Sequence, residues 1–449
     1  MTFLLHDWLH RPTHRRVWAL AAPMILSNVS VPLVALVDTT VIGHLPHAHQ
    51  LGAVAVGAGL FSLLAWAFGF LRMSTTGFAA QAAGRGDGSG LRQVLAQGLI
   101  LAAAFSLMLG LLAIPFSRLA LGWMAPSAEL ESNVLVFFHT RLLGLPATLG
   151  SFALVGWFLG TQNARAPLAM LLITNGLNIV LNLWFVLGLG WGVIGSARAS
   201  VISEWAALGL GLVLAVPALR AYAGTVPWAR LRQWSHWRPL LSLNRDIFIR
   251  SLALQAVFFL ITLQGARLGD ATVAANALLL NGLMLTAQAL DGLAHAVEAL
   301  CGHAIGARDR LALRRALVVA AGWSLVASLV FAALFGLYGD LFIGLQTDIP
   351  AVRAAATAFL PYLAVLPLIA VWSYLLDGLF IGATRAREMR DGMLASVALA
   401  APVAWLTQGW GNQGLWLSFL VFMALRAITL GGIALVLARQ QRWVGQEAR

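Results

Sequence analysis

The stretch Gly84-Arg-Gly-Asp87-Gly-Ser-Gly-Leu91-Arg92-Gln-Val-Leu95 returns further along the chain as Gly306-Ala-Arg-Asp309-Arg-Leu-Ala-Leu313-Arg314-Arg-Ala-Leu317, an offset of 222 in the numbering. The same offset relates Gly156, Phe158, Gly160, Ala164 and Arg165 to Gly378, Phe380, Gly382, Ala386 and Arg387, and more weakly Ala53 and Ala55 to Ala275 and Ala277. One unshifted offset at three separated places reads as a duplicated unit, the internal repeat typical of membrane transporters.

Around each copy lie long apolar stretches. The chain has 449 residues, 60% hydrophobic and 10% charged, with a mean hydropathy of +0.83. An ordinary soluble domain carries roughly 25% charged residues, so a soluble globular protein is excluded. A membrane span needs about 20 apolar residues. Twelve stretches qualify, at 17–43, 51–83, 91–114, 129–160, 166–188, 192–217, 243–268, 271–305, 313–337, 351–384, 391–408 and 412–437. The predicted fold is therefore an all-α polytopic membrane protein in two six-helix lobes. Residues 1–217 form an N-terminal lobe, 218–242 a cytoplasmic linker rich in Arg, Trp and Pro, and 243–449 a C-terminal lobe. Six spans per copy make both lobes enter the membrane in the same direction, related by a pseudo-twofold along its normal. Rocking of such lobes gives alternating access, the organisation of a secondary transporter.

The charge distribution sets the orientation. All 29 basic residues are Arg, and the formal charge is +12. Arg11, Arg15, Arg16, Arg85, Arg92, Arg165, Arg308, Arg310, Arg385 and Arg387 fall on one side with the linker arginines, whereas the opposite loops and their borders hold Arg118, Arg267 and Arg353. By the positive-inside rule both termini are expected in the cytoplasm, in a multi-pass protein of the cell inner membrane. With no soluble module to read a groove, the positive charge does not imply nucleic acid. Cys301 is the single cysteine, so neither an intramolecular disulfide nor a thiolate metal site is expected. A Walker A loop is missing, and there is no Lys to complete one, so ATP is not the direct energy source.

Ionisable and amide groups inside spans are costly and mark candidate pathways. Asp38 stands near the outer end of the first span among Val31, Leu33, Val34, Val37 and Val41, an apolar setting that raises a carboxyl pKa as a proton carrier requires. Pro23 and Pro32 give the same span two sites of bending. Pro146, Pro361 and Pro367 do so for the fourth and tenth. The fifth span carries Asn175, Asn178 and Asn182 on one face, with Ser196 and Ser200 of the sixth as partners: a polar network and candidate cation site, or interhelical polar contacts. The eighth span carries Gln288, Asp291, His295 and Glu298 on one face, a candidate proton relay. A metal site is not expected, and enzymatic use of Asp291, His295 and Glu298 is the weaker reading. Glu298 is expected to reach loop arginines. Asp377 is either a substrate contact or the partner of Arg385. Arg72 and Arg141 are expected to snorkel or pair with a carboxylate, and Asp246 to pair locally with Arg250.

Five phrases carry a family resemblance: Pro32-Leu-Val-Ala-Leu-Val-Asp38-Thr-Thr-Val-Ile-Gly-His44-Leu, Phe70-Leu-Arg72-Met-Ser-Thr-Thr-Gly77, Leu243-Asn-Arg-Asp-Ile247, Ala289-Leu-Asp291-Gly and Leu376-Asp377-Gly-Leu-Phe-Ile-Gly-Ala-Thr-Arg385. With them the chain resembles the multidrug and toxic compound extrusion (MATE) transporters, and among these the DinF branch. The resemblance implies two six-helix lobes that export amphipathic or cationic small molecules in exchange for H⁺ or Na⁺. It implies coupling at Asp38, bending at Pro23 and a functional amide at Asn178. Where many relatives carry Asp, this chain has Asn182, which disfavours sodium and leaves proton coupling as the expectation. No cofactor is implied, and a monomer in the lipid bilayer is expected. A flippase for lipid-linked precursors is the alternative of different class. The mid-membrane candidates are mainly acids and amides, which disfavours an anionic lipid head group.

Overall fold

The computed structural model describes residues 6–43, 48–124 and 127–444, without the side chains of 31–39, 41–43 and 48–49. The chain is helical, with no strand among the described residues. Its main helices are α1 (Arg11–Gly43), α2 (Ala48–Ala67), α3 (Phe70–Gly84), α4 (Gly88–Met124), α5 (Ala128–Leu142), α6 (Leu145–Gly160) and α7 (Arg165–Asn182), followed by α8 (Gly192–Arg220). After a short linker come α9 (Arg238–Arg267), α10 (Asp270–Gly306), α11 (Arg310–Gly344), α12 (Pro350–Gly382), α13 (Ala386–Leu406) and α14 (Gly411–Arg439). Helices α2 and α3 run on as one span, and α5 and α6 form a span bent by 47°. Nine helices among the described residues are long and apolar enough to cross a membrane, or ten with that bent pair counted once. With α1 and α13 they account for the twelve expected segments.

The chain divides into two compact units, one of Leu26–Arg238, the other of Met1–Ile25 with Pro239–Arg449. The segment Met1–Ile25 groups with Pro239–Arg449 in this division. The reason lies in three contacts. Gly292 of α10 leaves no room for a Cβ against Ala21 and Ile25 of α1. Trp8 lies over Gly322 and beside Trp323, and Trp323 donates its indole N–H to His14 at 2.9 Å. Buried Asp7 takes the guanidinium of Arg314 at 2.6 Å and that of Arg315 at 3.5 Å. Burial raises the Asp7 pKa, but the hydrogen bonds and charges of these two arginines outweigh it and hold the carboxyl below the usual range.

The duplication is visible atom by atom. Asp87 caps α4 by accepting the Gly90 N–H at 2.8 Å, and Asp309 caps α11 through Ala312 at 2.9 Å. The left-handed positions repeat too, Gly86 with Arg308 and Gln162 with Thr384, each in the turn after a helix. Gly156 and Gly160 bring α6 against the α3 backbone at Arg72, Thr76 and Ala80; Gly378 and Gly382 bring α12 against α10 at Ala294, Glu298 and Gly302. A Cβ at Gly160 would lie 2.7 Å from the Ala80 nitrogen, and one at Gly378 would lie 2.6 Å from the Ala294 carbonyl oxygen. Glycine at these positions sets how closely the helices approach, and the offset of every contact is the one read in the sequence.

Pro146 sits in the first turn of α6, at the bend, as its missing N–H allows. By contrast, α12 is continuous through Pro361 and Pro367, and α1 through Pro23. Tyr338 introduces a non-helical kink into α11 that no proline announces.

Candidate functional site

In the N-terminal unit the amide face of α7 meets α8. Asn182 donates its Nδ2 to Asn178 Oδ1 at 3.0 Å, Asn178 donates to Ser200 Oγ at 3.0 Å, and Ser200 donates to the Ser196 carbonyl at 3.2 Å. Asn175 reaches Ser30 of α1 at 3.5 Å, and Ser30 in turn bonds the Ser27 carbonyl. Asn182 is wholly buried and Asn178 nearly so. Of the five polar residues singled out in the sequence, Asn182, Asn178 and Ser200 form a side-chain hydrogen-bonded chain that ends on the Ser196 carbonyl, while Asn175 turns to Ser30 of α1; the described members are all uncharged. Directly after Asn182 the backbone changes to a π-helix over Leu183–Gly188, a widening frequent at functional sites. The side chains of Asp38 and Pro32 lie outside the described residues.

One ion pair braces this unit. Arg141 of α5 grips Glu204 of α8 through both nitrogens, at 2.9 and 2.7 Å, and stacks over Phe61 at 4.0 Å. Paired and largely shielded, a bidentate contact of this kind is among the stronger polar interactions. It meets the expectation that Arg141 pairs with a carboxylate.

The C-terminal unit has a different centre. Asp377 of α12 receives hydrogen bonds from Arg250 of α9 and Arg426 of α14, both on Oδ2. Arg426 is 1% exposed and lies 5.8 Å from the Tyr374 ring. Asp291 of α10, half-buried, acts electrostatically on Arg250 and on Tyr374. Two acids and two guanidinium groups thus share one region. Asp377 Oδ1 has no hydrogen-bond partner among the described residues, so the cluster keeps a spare acceptor.

Two sequence-based pairings are corrected. Asp377 meets Arg250 and Arg426; Arg385 turns instead to Glu388 at 2.5 Å and to the Arg442 carbonyl, because it follows the end of α12 and heads α13. Asp246 pairs with Arg245 at 3.0 Å and Arg390 at 2.7 Å, so Arg250, one turn further into α9, is left to Asp377. Glu298, expected at the reach of loop arginines, is buried and meets His295 at 3.3 Å. The α10 stripe therefore separates: Gln288 and Asp291 are half-buried, while His295 and Glu298 are packed inside. No group of three or more His, Cys, Asp and Glu placed to hold a metal occurs among the described residues. Sequence reasoning missed Arg426 and Glu204. The signal for Arg426 was present, since it is the only charge between Leu415 and Ala438.

Comparison with known proteins bears on what such an architecture does. The MatE family pattern matches residues 23–184 and 247–406. The chain is 44% identical over 422 residues to DNA damage-inducible protein F of Escherichia coli K12, covering 93% of this chain and 91% of that one. It is 26% identical over 446 residues to the probable multidrug resistance protein NorM of Pseudomonas aeruginosa, 93% and 88% covered. Among solved structures, a MOP superfamily transporter from Pyrococcus furiosus superposes with a TM-score of 0.84 at 18% identity, over 95% of this chain and 97% of that one. An outward-facing multidrug resistance MATE transporter gives 0.84 at 19%, over 96% and 97%. These two likenesses establish the twelve-helix, two-lobe fold. The repeat, the helices and the sequence match together make this chain a member of the MATE family of multidrug and toxic compound efflux transporters, not an enzyme.

Proposed function

We propose that the chain is a proton-driven antiporter that exports amphipathic or cationic small molecules across the inner membrane by alternating access of its lobes. Asp38 is the protonatable coupling residue, and both termini are cytoplasmic. The observation that carries this reading is the uncharged Asn178–Asn182–Ser200 network. The described members of that network are amides and hydroxyls, without a carboxylate to favour Na⁺, and with Glu204 of α8 held by Arg141, Asp38 is left as the main acid of that lobe. One acid in an apolar span suits a proton, which it binds and releases as its surroundings change. The multidrug label of the NorM relatives supports the substrate class. The working unit is a monomer in the bilayer without a resident cofactor. A flippase for anionic lipid head groups gains no support, since buried Arg250 and Arg426 are both committed to Asp377.

The test is ethidium accumulation by respiring inside-out vesicles, with the pH gradient collapsed midway at constant Na⁺. Uptake is expected to stop on collapse and to be lost in Asp38→Asn. Uptake that survives both would remove Asp38 from coupling and bring sodium forward.

A further inference from the structure

The repeat places a counterpart of the polar site in the C-terminal unit, with a different chemistry. Applying the repeat offset to Asp38, Asn175, Asn178, Asn182 and Ser200 gives Leu260, Val397, Ala400, Ala404 and Phe422; applying it to Ser196 gives Ser418. All six of these residues line one cavity of about 250 Å³ between α9, α13 and α14, wholly inside the C-terminal unit. Sequence offset and cavity lining are independent observations, and they coincide at every position. Where the N-terminal unit has an acid, three amides and one hydroxyl, the C-terminal unit has apolar side chains. The hydroxyl that is retained, Ser418, is already engaged, donating to the Gly414 carbonyl at 2.6 Å and meeting Thr407 Oγ1 at 2.8 Å. Phe419, edge-on against Phe258 with centroids 5.6 Å apart, adds an aromatic wall; Gln264 and Gln408 are the other polar side chains of a mainly apolar lining that holds no ionisable residue.

We infer that this cavity is an apolar subsite that takes an uncharged aromatic or alicyclic ring of the exported amphiphile, while the cationic part is held elsewhere. Its volume sets the size of the ring system. An apolar cavity of roughly 150 Å³ stays dry and accepts benzene, so about 250 Å³ has room for two fused rings. Its chemistry sets the charge. A cation here would lose its hydration with no carboxylate to replace it, whereas a ring leaves behind only the water around its own apolar surface. The inference rests on the export of amphiphiles proposed above and adds to it where the uncharged portion binds. An acyl chain from the bilayer has the same chemistry, so the test separates the two sources.

The experiment is equilibrium dialysis of the full chain in phosphatidylcholine nanodiscs with 1-naphthylmethyl-trimethylammonium and, as ringless reference, tetraethylammonium. The naphthyl cation is expected to bind more tightly. Ala404→Phe, which fills the cavity, weakens it about tenfold, or about 1.4 kcal/mol, and leaves tetraethylammonium within a factor of two. Phe422→Ala enlarges the cavity and shifts preference from the naphthyl to the anthracenyl homologue, a gain that a misfolded variant cannot produce. Equal binding of the two cations by the wild type, or a naphthyl affinity indifferent to both substitutions, overturns the inference. Loss of co-purified phospholipid in Ala404→Phe, with naphthyl affinity unchanged, assigns the cavity to an acyl chain and overturns it as well. The assay uses no gradient, so a failure of proton coupling in vesicles counts against the coupling proposal alone.

Discussion

Position 204 in the N-terminal unit is a glutamate paired with Arg141; at the corresponding position of the repeat, the C-terminal unit has Arg426, paired with Asp377. Each unit thus ties its last helix to the same neighbouring span with a largely shielded ion pair, but the signs are reversed and the partner sits in a different part of that span: Arg141 lies in α5, and its repeat position is Leu363 of α12, whereas Asp377 lies fourteen residues further along α12. A similar exchange runs through the amide face. Asn178 and Asn182 hold a hydrogen-bonded chain in one unit, and Ala400 and Ala404 line an apolar cavity in the other. What stayed constant is the backbone: the capping aspartates, the left-handed turns and the glycines at the helix contacts. Duplication preserved the framework that sets helix spacing and left the lining free to diverge, so one scaffold carries two chemistries.

The comparison breaks most severely at Asp377. Asp377→Asn removes the carboxylate that both buried guanidinium groups bond and leaves Asp291 as the remaining acid of the cluster, and breaking a buried pair costs about 3–5 kcal/mol. A large fall in the unfolding midpoint in detergent is the expected outcome, with partial recovery when Arg426→Met is added. A midpoint unchanged by Asp377→Asn would mean that the cluster is not a structural brace. Glu204→Gln in the other unit keeps an acceptor for Arg141 but not the charge, and a loss of about 1–3 kcal/mol is expected. The order of the two effects is itself the check, because Arg141 retains its stacking on Phe61 whereas Arg250 and Arg426 share one acid.

A smaller effect is expected from Asn178→Ala, which removes the acceptor of Asn182 and the donor to Ser200, at about 1–2 kcal/mol. Asn178→Asp keeps the geometry and adds a carboxylate, so Na⁺ dependence of dye uptake in that variant and not in the wild type would sharpen the contrast with a sodium site.

Smallest is the pH effect at Asp7. Its carboxyl is held below the unfolded value of about 3.9, so its stabilising contribution is complete above that value and is lost as pH falls through the lower folded one. Limited proteolysis of the N-terminal segment that ends at Ile25 is expected to accelerate on acidification to pH 3. In Asp7→Asn the rate is already raised at pH 7 and changes less with acid. Equal pH dependence in both chains would contradict the assignment.

The repeat made the helical lobes and the packing glycines legible, because a constant offset survives whatever happens to the lining. The amide stripe was legible for a related reason: spacings of three and four fix which residues share a helix face. Pairing between helices was not. Asp246 and Arg250 satisfy the local rule of helix spacing, yet Arg390 arrives from far along the sequence and takes Asp246. Arg385 stands two turns beyond Asp377, but α12 ends between them. Which partner wins depends on the rotation and depth of each helix, which no periodicity within one helix records. The kink at Tyr338 lies between Gly336 and Gly339, a pair of glycines whose significance the apolar pattern of the span did not reveal.

The central claim, that the ion is handled in the N-terminal unit and not by the charged cluster of the C-terminal unit, is tested most directly by proton release. Detergent-solubilised protein in weakly buffered solution is mixed with tetraphenylphosphonium, and the pH change is recorded for wild type, Asp38→Asn and the doubly substituted Asp377→Asn/Arg426→Met. The account predicts about one proton released per cation bound by the wild type and by the double variant, and none by Asp38→Asn. Release that persists in Asp38→Asn, or that disappears in the double variant while the cation still binds, would contradict it.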